Sequence, residues 1–238
     1  MTVKKSKKMR RMMVTEQMKR KAVYLSAVFS ISLTLLVLLT GCATFNPEPG
    51  KLGQPAVSIS SVTEIEDIGR GFAITESVQL EESIRKDFDA AVLLLNAEAY
   101  AKAIEILEKV VEQSPGVTAP YIDLGIAYQQ TANNYKAEEQ FKNALKLFPG
   151  HPVACNQYGL LLRKQGKFED ARNIYEQALA GYPSYYPVHR NLGILYDLYL
   201  NDHAKALEHY EIYNGYVPED NRVKIWIADL RIRLGLDQ

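Results

Sequence analysis

The feature that most constrains this chain is a spacing. Tyr121, Leu124, Gly125 and Tyr128 are followed by Ala137, Phe141, Ala144 and Pro149. Adding 34 gives Cys155, Tyr158, Gly159, Leu162, Ala171, Tyr175, Ala178 and Pro183. Adding 34 again, with one residue inserted near Tyr199-Leu-Asn-Asp202, gives His189, Leu192, Gly193, Tyr196, Ala206, Tyr210, Tyr213 and Pro218. Going backwards, Ala91, Ala103, Leu107, Val110 and Pro115 fit the second half of the pattern better than the first. Such self-similarity marks copies of one supersecondary unit. Four units run over 84–117, 118–151, 152–185 and 186–220.

Each unit reads as a helical hairpin, helix A then helix B. Gly125, Gly159 and Gly193 fall inside helix A, where glycine costs about 1 kcal/mol against alanine. Their recurrence implies close approach of a neighbouring helix, with Ala137, Ala171 and Ala206 as the small residues facing them. Tyr128 with Phe141, and Leu162 with Tyr175, are expected to fill the space above that contact. Pro115, Pro149, Pro183 and Pro218 end each helix B, because proline lacks the N–H and clashes with the preceding turn. One hairpin cannot bury its apolar face alone, so the units must stack.

These residues resemble the tetratricopeptide repeat. The resemblance implies an all-α fold, a right-handed superhelical stack of about four hairpins with a C-terminal capping helix over 221–235. In that helix Val223, Ile225, Trp226, Ile227, Leu230 and Leu234 form an apolar stripe and Arg222, Lys224, Arg231 and Arg233 a basic one. Ile227-Ala228 stands where Leu-Gly stands in the complete units. It reads as a solvating cap. Helix A of the first unit is expected from Glu76 onward, with Leu80, Ile84, Phe88, Ala91, Val92 and Leu95 at helical spacing, so the repeat domain covers 76–235.

The N-terminal region carries a different signal. Residues 1–41 hold nine of the 28 basic residues and one of the 28 acids, and an uncharged run of eighteen residues extends from Ala22 to Leu39. A basic segment, an apolar segment and small residues before a cut describe a secretory signal peptide. Leu39-Thr40-Gly41-Cys42 resembles the bacterial lipoprotein box. That resemblance implies cleavage before Cys42, a diacylglycerol thioether on its sulfur and acylation of the new amine. The alternative, a spanning helix, needs about the length that this run has. Ala43, rather than Asp, follows the cysteine. By resemblance to gammaproteobacterial sorting, this points to the outer membrane, periplasmic face.

Past residue 41 the chain carries 19 basic and 27 acidic residues, a net of −8. That balance argues against nucleic acid, whose binding requires neutralised phosphates. With Cys42 assigned to lipid, Cys155 is left alone, so no intramolecular disulfide forms. It reads as a small buried apolar residue. Residues 42–75 read as a tether with an apolar end. Residues 43–60 are rich in proline, glycine and serine, while Val62, Ile65, Ile68, Phe72 and Ile74 surround the helix-breaking Gly69-Arg-Gly71. That end either packs back on the first hairpin or orders on a partner.

No nucleotide-binding glycine loop, zinc-protease signature or serine elbow occurs. His151, His189, His203 and His209 lack metal-ligand spacing, and no pair of carboxylates stands out. The reading is therefore no enzyme, no cofactor and no metal. In the repeats that the chain resembles, helix A lines a concave groove. Carried over position by position, the groove residues are Ile122, Ile126, Gln129 and Gln130 in the second unit. The third gives Asn156, Leu160, Arg163 and Lys164, and the fourth Arg190 and Ile194. Ala119, Val153, Pro187, Asp197 and Leu198 occupy the remaining groove positions. Arg163, Lys164 and Arg190 form a basic strip suited to an acidic peptide, unless acids across the groove balance them. The Lys and Asn of a carboxylate clamp are missing, since those positions hold Ile122, Ile126, Asn156 and Leu160. The Tyr182–Tyr186 cluster reads as packing between units.

The expected function is a lipid-anchored periplasmic scaffold or adaptor that holds a segment of another envelope protein. Gly71–Glu76, the repeats and Trp226–Arg231 resemble lipoproteins found beside TonB/ExbB/ExbD-like systems. Type IV pilus or outer-membrane assembly lipoproteins share the same plan, and a peptidoglycan-active enzyme is the remaining class.

Overall fold

The computed structural model describes residues 64–67, 72–75 and 79–237. The signal-peptide reading, Cys42 and residues 43–60 lie outside the described residues.

Two short strands, β1 (Glu64–Asp67) and β2 (Phe72–Thr75), pair antiparallel with Glu64 opposite Thr75 and Asp67 opposite Phe72. The Gly-Arg-Gly stretch that forbids a helix lies between them. The β-branched and aromatic residues on either side suit extended backbone.

The described helices form four hairpins and a cap. They are α1 (Glu82–Asn96) with α2 (Tyr100–Gln113), α3 (Thr118–Gln130) with α4 (Asn134–Leu147), and α5 (Pro152–Lys164) with α6 (Phe168–Gly181). The fourth pairs α7 (Tyr186–Leu195) with α8 (His203–Tyr216) through a π-helical turn, Tyr196–Leu200, and α9 (Asn221–Arg233) follows. α1 starts at Glu82, six residues later than the spacing suggests. Glu81 is extended (ψ 151°) and makes no side-chain cap. Every helix B stops two residues before its proline, because the residue preceding a proline disfavours the α region.

The glycines confirm a close approach, with a different partner. A Cβ on Gly125 would lie 2.5 Å from the Phe141 ring, on Gly159 2.4 Å from Tyr175, and on Gly193 2.3 Å from Tyr210. The helix B aromatic, rather than the helix B alanine, occupies the notch. Ala137, Ala171 and Ala206 are fully buried beside it. Phe141, Tyr175 and Tyr210 are at most 1 % exposed, so the core of each hairpin is a ring laid on bare backbone.

Hairpins join by a tyrosine-to-glutamate clasp. The Tyr128 hydroxyl donates to Glu108, Tyr158 to Glu138 (3.2 Å) and Tyr196 to Glu176 (3.1 Å), each twenty residues back. The Tyr128 hydroxyl bond, joined by Lys136, holds Glu108 below the usual carboxylate range. The stacking positions on helix A are buried throughout the interior. Ala127, Leu161, Leu195 and Leu230 are all 0 % exposed, whereas their counterpart in the first unit, Leu93, is 70 % exposed.

The inserted residue of the fourth unit has a definite location. In the first three units the chain leaves helix A through one left-handed residue, Glu98 (φ 57°), Ala132 (φ 61°) or Gly166 (φ 77°). The next N–H then bonds five residues back, Ala99 to Leu94, Asn133 to Tyr128 and Lys167 to Leu162. In the fourth unit Asn201 (φ 55°) takes the left-handed place, but the Asp202 N–H reaches six residues back to Tyr196. The extra residue is thus absorbed as the π turn, leaving Gly193 and Tyr210 in register.

Candidate functional site: the helix A faces and their C-terminal cavity

The residues expected to line the groove divide into three groups. Ile122 is 3 % exposed and packed with Ala144 and Ala154, so it belongs to the joint between the second and third units. Ile126, Gln129, Asn156 and Leu160 are half-buried, while Gln130 and Lys164 are exposed. Arg163, Arg190 and Ile194 join a larger structure at the C-terminal end. Asn156 Oδ1 accepts from Asn191 Nδ2 at 2.8 Å, a cross-unit pair that the spacing does not announce. Gln129 Nε2 and Arg163 Nε, one period apart, are buried donors without an acceptor among the described residues.

The basic strip is only partly free. The Arg190 guanidinium lies 5.5 Å from the centre of the Trp226 ring, and its Nε is 3.7 Å from Asp220. Arg163 lies 5.8 Å from the centre of the Tyr199 ring, which itself stacks on Phe168 at 4.5 Å. Lys164 remains exposed.

Beyond Arg190 the helix A face opens into a cavity of about 680 Å³, walled by Ile194, Leu198, Tyr210 and Trp226 with Asp197, Asp229 and Arg233. Four elements build it, with Ile194 coming from α7. Tyr210 lies on Gly193 and forms the floor. The π turn presents Asp197 and Leu198, and α9 contributes the other three. Arg233 reaches Asp197 at 2.9 Å and Asp229 at 2.8 Å. His203 Nε2 is 3.1 Å from Arg233 Nη1; a guanidinium can only donate, so the imidazole nitrogen accepts. Trp226, Asp229 and Arg233 were not among the groove residues expected from sequence. A signal was available for two of them: one more period, with the inserted residue, carries Ile194 and Leu198 onto Asp229 and Arg233.

Family models for this repeat match residues 117–184 and 156–213. Residues 117–213 carry tetratricopeptide repeats. The repeat fold is similar to that of Pseudomonas aeruginosa PilF, at 23 % identity and a TM-score of 0.59, over 64 % of this chain and 69 % of that one. It is also similar to MamA from Desulfovibrio magneticus RS-1, at 20 % identity and a TM-score of 0.57, over 66 % and 89 % of the two chains. At these identities the likeness is one of fold: an all-helical superhelical stack, as the spacing predicts. Two plant proteins named as probable UDP-N-acetylglucosamine–peptide N-acetylglucosaminyltransferase SPINDLY also match. That of Petunia hybrida is 29 % identical over 118 residues and that of Solanum lycopersicum 31 % over 117. The matches take in 47 % and 48 % of this chain but 13 % of each relative.

Within the tetratricopeptide stack, the other chemistry-bearing groups are internal. His189 and His209, distant in sequence, meet with Nδ1 atoms 2.9 Å apart, and His189 Nε2 lies 2.9 Å from the Pro183 carbonyl. A carbonyl only accepts, so His189 Nε2 carries the hydrogen and its Nδ1 receives that of His209. Burial, then His189, pushes His209 down to about 4. No spacing pairs His189 with a second histidine; the stacking of units supplies one. Among the described residues no group of three or more His, Cys, Asp or Glu is placed to hold a metal ion. Cys155 is free and buried, its thiol pushed up to about 12 by burial, which leaves a negligible thiolate fraction at neutral pH.

Proposed function

We propose that this protein is a lipid-anchored envelope scaffold whose tetratricopeptide groove holds a segment of a partner protein, with Cys42 as the anchor. The tetratricopeptide stack is suited to protein–protein interaction. The observation that carries the groove reading is the cavity of about 680 Å³ at the end of the helix A faces, a size within the usual range for binding clefts. Gln129 adds support, since its buried Nε2 has no acceptor among the described residues. A buried donor without a partner costs roughly 1–3 kcal/mol, a cost that an acceptor on a bound chain would remove. The lipoprotein box supports the anchor, and two or more acyl chains hold a protein to a membrane where one does not. The resemblance of Gly71–Glu76 and Trp226–Arg231 to TonB/ExbB/ExbD-associated lipoproteins supports that class of machine as the setting.

Two experiments test this. Labelling with a radioactive fatty acid, followed by membrane fractionation, should show incorporation that Cys42→Ser abolishes; an unlabelled wild type removes the anchor. In-cell crosslinking with mass spectrometry should identify a partner that a folded Leu160→Glu, Lys164→Glu variant loses. A partner kept by that variant, and also by Leu198→Asp, would place the contact off the groove.

A further inference from the structure

The cavity has a chemical preference of its own. Its walls are apolar where Ile194, Leu198 and Trp226 meet, and Leu198 stands 65 % exposed at the rim. Beside this patch sit two carboxylates and one guanidinium. Asp197, with only 9 % of its side chain exposed, is matched by Arg233 at 2.9 Å. Asp229 shares the same Arg233 at 2.8 Å while 61 % of its side chain faces solvent. Two further cations act on Tyr210 in the cavity, Arg190, which stands beside Asp220, and Arg163. Asp229 thus puts a solvent-facing carboxylate at the rim, next to exposed apolar surface.

We propose, resting on the groove reading above, that this cavity anchors a partner segment bearing a bulky apolar side chain with a lysine or arginine close to it. The apolar side chain enters between Leu198 and Trp226, and the cation meets Asp229. The repeat arithmetic supports a built site. The first three units leave helix A by the same five-residue closure, and only the unit that widens into a π turn forms this wall. π turns inside helices occur frequently at functional sites. The C-terminal end of the groove is therefore selective for basic rather than acidic segments, the opposite of what a strip of Arg163, Lys164 and Arg190 suggests.

The test uses full-length protein and a random-peptide phage library as the probe. Selected peptides are synthesised and titrated by fluorescence anisotropy against wild type, Asp229→Lys, Leu198→Asp and Leu160→Glu. Each variant is first shown by circular dichroism to melt as the wild type does. The expected consensus pairs an aromatic or large aliphatic residue with Lys or Arg. Asp229→Lys then weakens binding by about tenfold or more, and replacing the peptide's basic residue by Glu restores affinity for that variant. Affinity for wild type falls as salt rises. An acidic consensus, or a basic one indifferent to both Asp229→Lys and Leu198→Asp, overturns the proposal. If peptides depend on Leu160 but on neither Asp229 nor Leu198, the groove reading stands and the anchor site falls. If no selected peptide responds to any of the three variants, the groove reading falls as well.

Discussion

At the scale of single residues, the fold rests on positions where one atom decides the outcome. Gly159→Ala would put a methyl 2.4 Å from a Tyr175 ring that is fully buried. The ring cannot swing away, so overpacking of about 1–3 kcal/mol outweighs the gain in helix propensity. Urea denaturation should show a lower midpoint; an unchanged one would mean that the ring yields. The left-handed residues run the other way. Ala132 holds φ 61° where the third unit uses glycine, so Ala132→Gly should stabilise by roughly 0.5–1 kcal/mol in the same assay. Ionisation adds a pH term. Burial pushes Asp123 up to about 6, and pushes His151 and His209 down to about 4. A depressed histidine contributes stability above its unfolded value of about 6.5 that is lost as pH falls toward 4. A raised carboxyl does the reverse, because the folded state binds the extra proton. Asp123→Asn should therefore raise stability at pH 7, by on the order of 1–2 kcal/mol after solvent screening. It should also steepen the acid loss between pH 6.5 and 4, as followed by thermal melts across that range. Equal melting temperatures for wild type and variant at pH 7 would sink the assignment.

Among elements, α9 shows what a cap must do. Val223 and Leu230 are fully buried against the stack, while Ile225 and Ile232 are 67 % and 68 % exposed on the same helix. The sequence shows an apolar stripe but not which side of it is covered. Leu230→Ala should cost about 2–5 kcal/mol and Ile225→Ala stay within about 0.5 kcal/mol. Equal losses on denaturation would mean that the helix packs the other way round. The repeats were legible because Gly125, Gly159, Gly193 and the prolines recur by backbone necessity. The spacing points to alanine at the helix A contact, where the structure has the aromatic ring, because periodicity fixes which residues recur, not which atom fills a notch. The extra residue was legible as an offset near 199–202; its conversion to a π turn depends on hydrogen bonding that no spacing states. Ile194 was legible as a groove residue. Trp226, Asp229 and Arg233 are not legible as groove residues, because a helix that reads as a solvating cap gives no reason to carry the groove positions onto it. The strands are not legible because four residues on either side of Gly69-Arg70-Gly71 carry too short a pattern.

For the whole molecule, stability is close to a sum over units and their joints. The joints are alike, so protection against amide exchange should follow the number of neighbours. The α1–α2 hairpin, with Leu93 exposed, should exchange faster than α5–α6, which is covered on both sides. Hydrogen exchange resolved by mass spectrometry checks this; uniform protection along the stack would mean that it opens only as one block.

The exposed Leu93 also bears on how such a chain can change length. At every interior joint the equivalent side chain is sealed by the helix B before it, so a unit spliced in there must fit two existing surfaces at once. At the first unit the corresponding face carries the exposed Leu93. A duplicated copy of 118–151 placed there would bring α4's face, already suited to a neighbour, onto a leucine that now meets water. Growth by gene duplication at that end starts from a favourable contact and leaves the cavity at the other end untouched.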